Sequence, residues 1–251
     1  MKVYLYGRNF GNIERLLKER GVELLPSPDG ADLILSHGGD GSMLGAEYRF
    51  PGRLKFPVRD AETAPLCPEH RIEKQLDLLL AGQLKKTFLP KLEGRACGRS
   101  LRAVNDIFIH NRSNVCALRY KVWIDGELYG RETVGDGVGV ATVHGSTAYY
   151  RSITHSIFRT GIGLAFNNST ELVNHLVLPE QSLITVEILR GPGELVADNI
   201  PESIPLNEGD SASISLSDET TPVLGLDCFM CPECRFIRHR LRNSSRNGQR
   251  V

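Results

Sequence analysis

Three stretches of this chain carry residue types and spacings that could bind a ligand or do chemistry. The first is Gly38-Gly39-Asp40-Gly41-Ser42, which follows the apolar run Ala31-Asp32-Leu33-Ile34-Leu35. Glycines after a buried parallel strand leave main-chain N–H groups open at the carboxyl end of a sheet, where open α/β sheets take ligands. The helix that follows adds its positive N-terminal end. The result is a phosphate cradle. Asp40 within it cannot itself favour an anion, so a carboxylate there is suited to binding a sugar hydroxyl, holding Mg²⁺ or accepting a proton. The plainer reading is a tight turn whose Asp caps the next helix.

The second stretch runs from Gly135-Asp136-Gly137 through the β-like Val138–Val143 to His144-Gly145-Ser146-Thr147-Ala148-Tyr149. It puts two hydroxyls at the start of an expected helix, where they serve a ligand or cap the helix itself. The third is Asn105-Asp106, a polar pair inside the strand-like Val104–His110. It reads either as a bulge or edge position or as a hydrogen-bonding pair facing a polar ligand.

Other signals are weaker. No Gly-x-x-x-x-Gly-Lys-Ser/Thr motif is present, which excludes a P-loop mechanism. Gly7-Arg8-Asn9-Phe10-Gly11 lacks the third glycine of a dinucleotide fingerprint and is expected to be the first strand-to-helix turn, with Arg8 within reach of a phosphate. Cys228, Cys231 and Cys234 form C-x₂-C-x₂-C with His239 beyond, but a closed zinc site needs a fourth ligand and usually a second pair at a distance. Free thiols and no metal site are the expectation. The arginines of the tail, Arg235, Arg238, Arg240 and Arg242 among them, read as a solvated helix face, and Trp123 as core or subunit interface.

Around these residues the periodicity sets out two domains and a tail. Residues 1–82 read as an α/β, Rossmann-like unit: a strand at Val3–Tyr6, a helix over Asn9–Arg20, an extended Val22–Leu25, the buried strand Ala31–Leu35, and helices at Ser42–Arg49 and Glu69–Ala81. Residues 83–226 read as an antiparallel, β-sandwich-like domain. Its strands are expected at Leu84–Leu92, Leu101–His110, Val115–Ile124, Glu127–Thr133, Leu183–Leu189, Glu194–Ala197, Ser211–Leu216 and Pro222–Leu226, with a hairpin at Asp125-Gly126. Residues 227–251 form a C-terminal segment, expected to pack back on the first domain as a short helix with a frayed end.

Thirty basic and thirty acidic residues cancel, so no global field favours nucleic acid or an anionic membrane. No apolar run approaches the roughly 20 residues of a membrane span, and the start resembles no signal peptide. A soluble cytoplasmic protein is expected.

Taken in order, Gly-Gly-Asp-Gly-Ser at 38–42, Asn105-Asp106, Gly135-Asp136-Gly137, Gly145-Ser146-Thr147-Ala148-Tyr149 and His175-Leu176-Val177-Leu178-Pro179 resemble the NAD kinase family. The resemblance implies an N-terminal α/β domain, an all-β C-terminal domain with a site between them, and transfer of the γ-phosphate of ATP, with Mg²⁺, to the 2′-hydroxyl of the adenosine ribose of NAD(H). It implies a homodimer or homotetramer. Asp40 matches the family's catalytic aspartate, and Gly38, Gly39, Gly41 and Ser42 the phosphate loop. Asn105 and Asp106 match an Asn-Glu pair that contacts the adenosine end of the nucleotide. Asp136, Ser146, Thr147, Ala148 and Tyr149 match other pocket residues, and His144 stands at the pocket's edge.

The chain also departs from the family. Thr142-Val143-His144 replaces Thr-Pro-Thr, and Ser152-Ile153-Thr154-His155 replaces Ser-Ala-Gly-Gly. Lys55 to Glu62 carries no Gly-x-Leu-Gly-Phe segment. Two alternatives follow: a nucleotide sensor that has lost turnover, and a kinase of another acceptor, such as a lipid, on the same fold.

Overall fold

The computed structural model describes residues 1–62, 66–172, 174–229, 231, 233, 234 and 237. The chain forms two compact units, one of residues 1–88 with the chain from 221 onward, the other of residues 89–220. The boundaries expected from the sequence lie at 82/83 and 226/227.

The first unit is built on strands β1 (Lys2–Gly7), β2 (Glu23–Leu24), β3 (Leu33–Gly38) and β4 (Lys55–Arg59), all parallel in the order β2-β1-β3-β4. The end of the chain's last strand, Ser211–Leu224, extends the sheet beside β4, with Val223 opposite Lys55. Helices α1 (Gly11–Glu19), α2 (Asp40–Arg49) and α3 (Ile72–Leu80) belong to the same unit. Alternation along the strands sorts the two faces. Val3, Leu33, Leu35, Phe56 and Val58 share a core with Ile13, Leu16 and Leu17 of α1 and Ile72, Leu76 and Leu79 of α3. The residues between them look toward α2. Lys55 pairs with Glu47, and Tyr4 and Tyr6 set their ring edges against Phe50 at 5.4 and 5.7 Å.

The sequence did not anticipate β4, because Pro57 and the flanking cations Lys55 and Arg59 mask an otherwise buried strand. Nor is the expected helix Glu69–Ala81 continuous. Pro68–His70 is a 3₁₀ turn, and Arg71 is extended (φ −61°, ψ 147°) before α3 begins.

The second unit contains β5 (Lys86–Ala96), β6 (Arg99–Ala103), β7 (Asp106–Asn111), β8 (Leu118–Ile124), β9 (Glu127–Gly135), β10 (Gly137–Ala141), helix α4 (Tyr149–Thr154), β11 (Ile162–Asn167), β12 (His175–Leu178), β13 (Ile184–Arg190), β14 (Gly193–Ala197), β15 (Ile204–Leu206) and the first part of β16 (Ser211–Leu224). Six strands form one antiparallel sheet in the order β12-β11-β10-β7-β14-β15. Opposite them, β16, β13, β8 and β9 pair antiparallel, and β5 pairs with β6. The layers share one core, in which Ile107, Ile109, Val138 and Val140 meet Leu118, Tyr120, Val186 and Ile214. This is the sandwich that the alternating patterns required.

The turn Asp125-Gly126 has φ of 54° and 86°, the left-handed pair that a two-residue hairpin needs. Three expected strands are corrected. Leu101–His110 breaks into β6 and β7 at Val104-Asn105, and Ser211–Leu216 and Pro222–Leu226 are parts of one strand, β16. The short helix α5 (Leu226–Phe229) follows it. The helix and frayed end expected beyond Cys234 fall, apart from Ile237, outside the described residues. Among the described residues no helix is long and apolar enough to cross a membrane.

Candidate functional site

Three parallel strands of the first unit end at the same edge of the sheet. β1 runs into Arg8-Asn9, β3 into Gly39-Asp40 and β4 into Asp60. The Asp60 N–H donates to the Gly38 carbonyl at 2.9 Å, which holds the ends of β3 and β4 together. Gly38 has φ of 148°, and a β-carbon there would lie 2.1 Å from the Ser42 hydroxyl, so the loop needs glycine at this point. Gly39 is the N-cap of α2 and offers no side chain to cap it. Asp40 is therefore not the cap that the plainer reading assigned. It is the first helical residue, its side chain 57% exposed, and its Oδ1 accepts a hydrogen bond from Arg59 Nη2 at 2.9 Å.

Arg59 is itself buried, with only 4% of its side chain exposed. Its Nε donates to the Phe229 carbonyl at 2.9 Å, and its guanidinium carbon lies 4.0 Å from the centre of the Phe229 ring. A cation held at three points makes a rigid partner for an exposed carboxylate. Nearby, Asn9 in the left-handed conformation (φ 58°) donates from its amide to Asp60 Oδ2 at 2.8 Å, and the Glu62 N–H donates to Oδ1 at 3.0 Å. Burial works against ionisation of Asp60, but these bonds and the nearby His37 and Arg8 hold its carboxyl below the usual range. Arg8 is exposed beside the Gly38 loop, its Nε 3.9 Å from where a Gly38 β-carbon would stand. A backbone loop, a helix start and an exposed cation suit phosphate, and the outward Asp40 suits a hydroxyl.

The second unit holds the other group. The break between β6 and β7 is tied down by Asp198, whose carboxylate accepts the backbone N–H groups of Val104 (2.7 Å), Asn105 (2.8 Å) and Asp106 (3.1 Å). Asn105 thus belongs to a turn and not to a strand, and its buried Oδ1 has no hydrogen-bond partner among the described residues. Its carbonyl accepts the Thr142 N–H at 2.8 Å. A β-carbon on Gly145 would lie 2.0 Å from that same carbonyl oxygen, so only glycine lets the two segments meet. Burial, then the charge of Asp198, push the Asp106 carboxyl up to about 7 against a hydrogen bond from the Tyr149 N–H. Asp198 is raised to about 6 by burial, against its three N–H donors and Lys91. A carboxyl raised by burial and by the charge of an adjoining carboxylate makes this turn a candidate functional site.

Tyr149 lies along β7. Its ring centre is 4.8 Å from Phe108 and 5.6 Å from His110, and Asn167 Nδ2 donates to its hydroxyl at 3.4 Å. Burial, followed by the charges of Asp106 and Asp136, raises the Tyr149 phenol. Asp136 is exposed at the far end of the β7–β10 pair, where Gly137 faces His110 and Ala141 faces Asp106. It accepts from Asn168 Nδ2 at 2.9 Å and lines a cleft with His110, Asn111 and Asn167. Asp106 and Asp136 are thus a strand's length apart, with Tyr149 between them.

Gly145–Thr147 is a 3₁₀ turn, and α4 begins only at Tyr149. The Ser146 hydroxyl is buried and donates to the carbonyls of Val143 (2.8 Å) and Phe158 (3.2 Å), so it neither caps a helix nor faces open space. Thr147 is exposed, with its hydroxyl 3.4 Å from the His144 carbonyl, and His144 and Ala148 are half-buried. Arg59, Asp198 and His110 were not singled out in the sequence. His110 alone carried a signal, standing in alternation with Asp106 and Phe108 on one strand face.

No family model matches the chain. Individual proteins do. An NAD kinase of Paraburkholderia phytofirmans is 31% identical over 216 residues, covering 77% of this chain and 69% of the relative. One from Burkholderia thailandensis is 30% identical over 216 residues with the same coverage. Among solved structures, yeast NADH kinase complexed with NADH superposes with a TM-score of 0.74 at 20% identity, covering 90% of this chain and 83% of that one. An NAD kinase from Archaeoglobus fulgidus in complex with ATP gives 0.72 at 19% identity, covering 91% and 96%. The fold, the order of the glycine and aspartate segments and the level of identity lead to one conclusion: the chain belongs to the NAD kinase family.

Proposed function

We infer that the chain transfers the γ-phosphoryl group of ATP to the 2′-hydroxyl of the adenosine ribose of NAD or NADH, giving NADP(H) and ADP. The observation that carries this reading is Asp40, set outward at the carboxyl edge of a parallel sheet within a glycine loop and held by a buried arginine. Its carboxylate takes the proton of the 2′-hydroxyl as the new bond to phosphorus forms and the bond to the β,γ-bridging oxygen breaks. Positioning and charge neutralisation supply most of the rate in such transfers. Gly38, Gly39, Gly41, Ser42 and Arg8 are proposed to receive phosphate oxygens.

In the second unit Asn105 and Asp106 would receive the adenosine end, with Tyr149 as an aromatic wall and Asp136, His144, Thr147 and Ala148 around the rest of the dinucleotide. Ser146 serves by shaping the turn. ATP is taken as its Mg²⁺ complex, a cation held chiefly by phosphate oxygens with few protein ligands. Assembly as a homodimer or homotetramer and a cytoplasmic location complete the proposal and rest on the family resemblance.

The test is a coupled assay of the purified protein with Mg²⁺-ATP and NAD, NADH or diacylglycerol. NADP(H) formation is expected with a dinucleotide and no product with the lipid. Tight NADP(H) binding with no turnover of either dinucleotide would replace the kinase by a sensor.

A further inference from the structure

The cysteines that the sequence left as free thiols meet a partner pair in the first unit. The ligand atoms of Cys67, His70, Cys231 and Cys234 all lie within 4.8 Å of one another, and Cys67 and Cys234 are fully buried. Cys67 Sγ is 3.8 Å from Cys231 Sγ and 3.5 Å from Cys234 Sγ, while His70 Nδ1 is 3.3 Å from Cys67 Sγ and 3.4 Å from Cys234 Sγ. Four of the six edges of a four-atom cluster are thus near the lengths that a tetrahedral metal would set. With zinc–sulfur bonds near 2.3 Å and zinc–nitrogen bonds of about 2.0–2.1 Å, tetrahedral geometry sets S···S edges of about 3.8 Å and S···N edges of about 3.6 Å. A disulfide would need sulfurs about 2.05 Å apart.

The local sequence repeats as the geometry does. Cys67-Pro68-Glu69-His70 and Cys231-Pro232-Glu233-Cys234 are two x₂-spaced ligand pairs with the same Pro-Glu filling. In the first, the 3₁₀ turn with Pro68 at its start brings the His70 N–H to the Cys67 carbonyl at 3.0 Å and turns both side chains to one side. Backbone N–H groups face the sulfurs: Cys67 N lies 3.4 Å from Cys234 Sγ, and Cys234 N lies 3.5 Å from Cys231 Sγ. Such donors neutralise thiolate charge around a metal. Cys228, half-buried, stands outside the group, and among the described residues no other set of three or more His, Cys, Asp or Glu converges in this way.

We propose that Cys67, His70, Cys231 and Cys234 form a closed, structural zinc site that fastens the segment after β4 to the segment after α5. Four protein ligands leave no open position, so the site has no part in phosphoryl transfer. Loading it releases the three thiol protons to solvent and fills the tetrahedron with three thiolates and a neutral imidazole. Its consequence is mechanical. α5 carries Phe229, whose carbonyl and ring hold Arg59, so the metal secures the backing of the residue that positions Asp40.

The experiment is elemental analysis of the full-length protein purified without chelator, followed by exchange of the metal for Co²⁺. One zinc per chain is expected, with the intense visible bands of a tetrahedral cobalt–thiolate centre after exchange. Cys67→Ser and Cys234→Ser should each lose most of the metal, and Cys228→Ser should keep it. Removing zinc from the wild type should lower the thermal midpoint by roughly 10 °C, restored on adding zinc back. Should a ligand variant fail to fold, the wild-type cobalt spectrum still decides. A wild type that takes up no zinc under reducing conditions, an octahedral cobalt spectrum, or full metal in Cys67→Ser would each overturn the proposal.

Discussion

Arg59 reaches Asp40 with one nitrogen and the Phe229 carbonyl with another, a division that a single ammonium cannot reproduce. In the proposed reaction it acts through Asp40, as a positioning residue. Arg59→Lys keeps the charge but loses the fork. Charged hydrogen bonds are worth about 1.5–3 kcal/mol, so kcat should fall about 10- to 100-fold while the KM for ATP moves little. Steady-state kinetics decide the point: an unchanged kcat would mean that Asp40 needs no such support. At the same scale, Asp106 gives a pH signature. Its carboxyl is raised to about 7 from an ordinary 3.8, so the folded state holds its proton where the unfolded chain has released it. That contribution to stability is complete below the unfolded value and is lost as pH rises through about 7. Asp106→Asn removes it, so denaturation midpoints should show the variant gaining on the wild type between about pH 4 and about pH 7 and levelling off above. A parallel pair of profiles would place Asp106 in open solvent. Neither effect was legible in the sequence. Arg59 comes near Asp40 only because β3 and β4 pair, and Asp198 adjoins Asp106 across 92 residues of chain.

At the scale of elements, α2 is fixed to the sheet by a pair buried on both sides, Lys55 fully and Glu47 nearly so. Lys55 Nζ also donates to the Phe50 carbonyl at 2.6 Å, and Glu47 Oε1 accepts the Gly52 N–H at 3.1 Å. Removing one member strands the other charge in the interior, at a cost of about 3–5 kcal/mol. Glu47→Gln should lose stability of that order in chemical denaturation, and Glu47→Leu combined with Lys55→Met should recover most of it. A loss under about 1 kcal/mol in the single variant would mean that water reaches Lys55. The strands that periodicity identified, such as β8 and β13, have one face in the core and one outside, which is the pattern that alternation reports. β4 escaped because all five of its residues are buried, two of them cations whose charge is met only by tertiary partners. The break before β7 escaped because its cause, the carboxylate of Asp198, lies far along the chain.

At the scale of the molecule, the ordered glycine and aspartate segments made the family legible, because backbone loops that approach phosphate closely tolerate few residue types. The hidden part was pairing at long range: a zinc ligand set split across 164 residues from Cys67 to Cys231 has no local period to reveal it. The claim on which the rest depends is that Asp40 carries the chemistry. The measurement that tests it most directly is the coupled assay of wild type beside Asp40→Asn, with ATP and NAD affinities measured on the same samples. The expected result is NADP(H) formation by the wild type, reduced at least about 100-fold in the variant with both affinities within about threefold, since a general base contributes roughly 10²–10⁴ in rate. Turnover by Asp40→Asn close to that of the wild type would contradict the assignment.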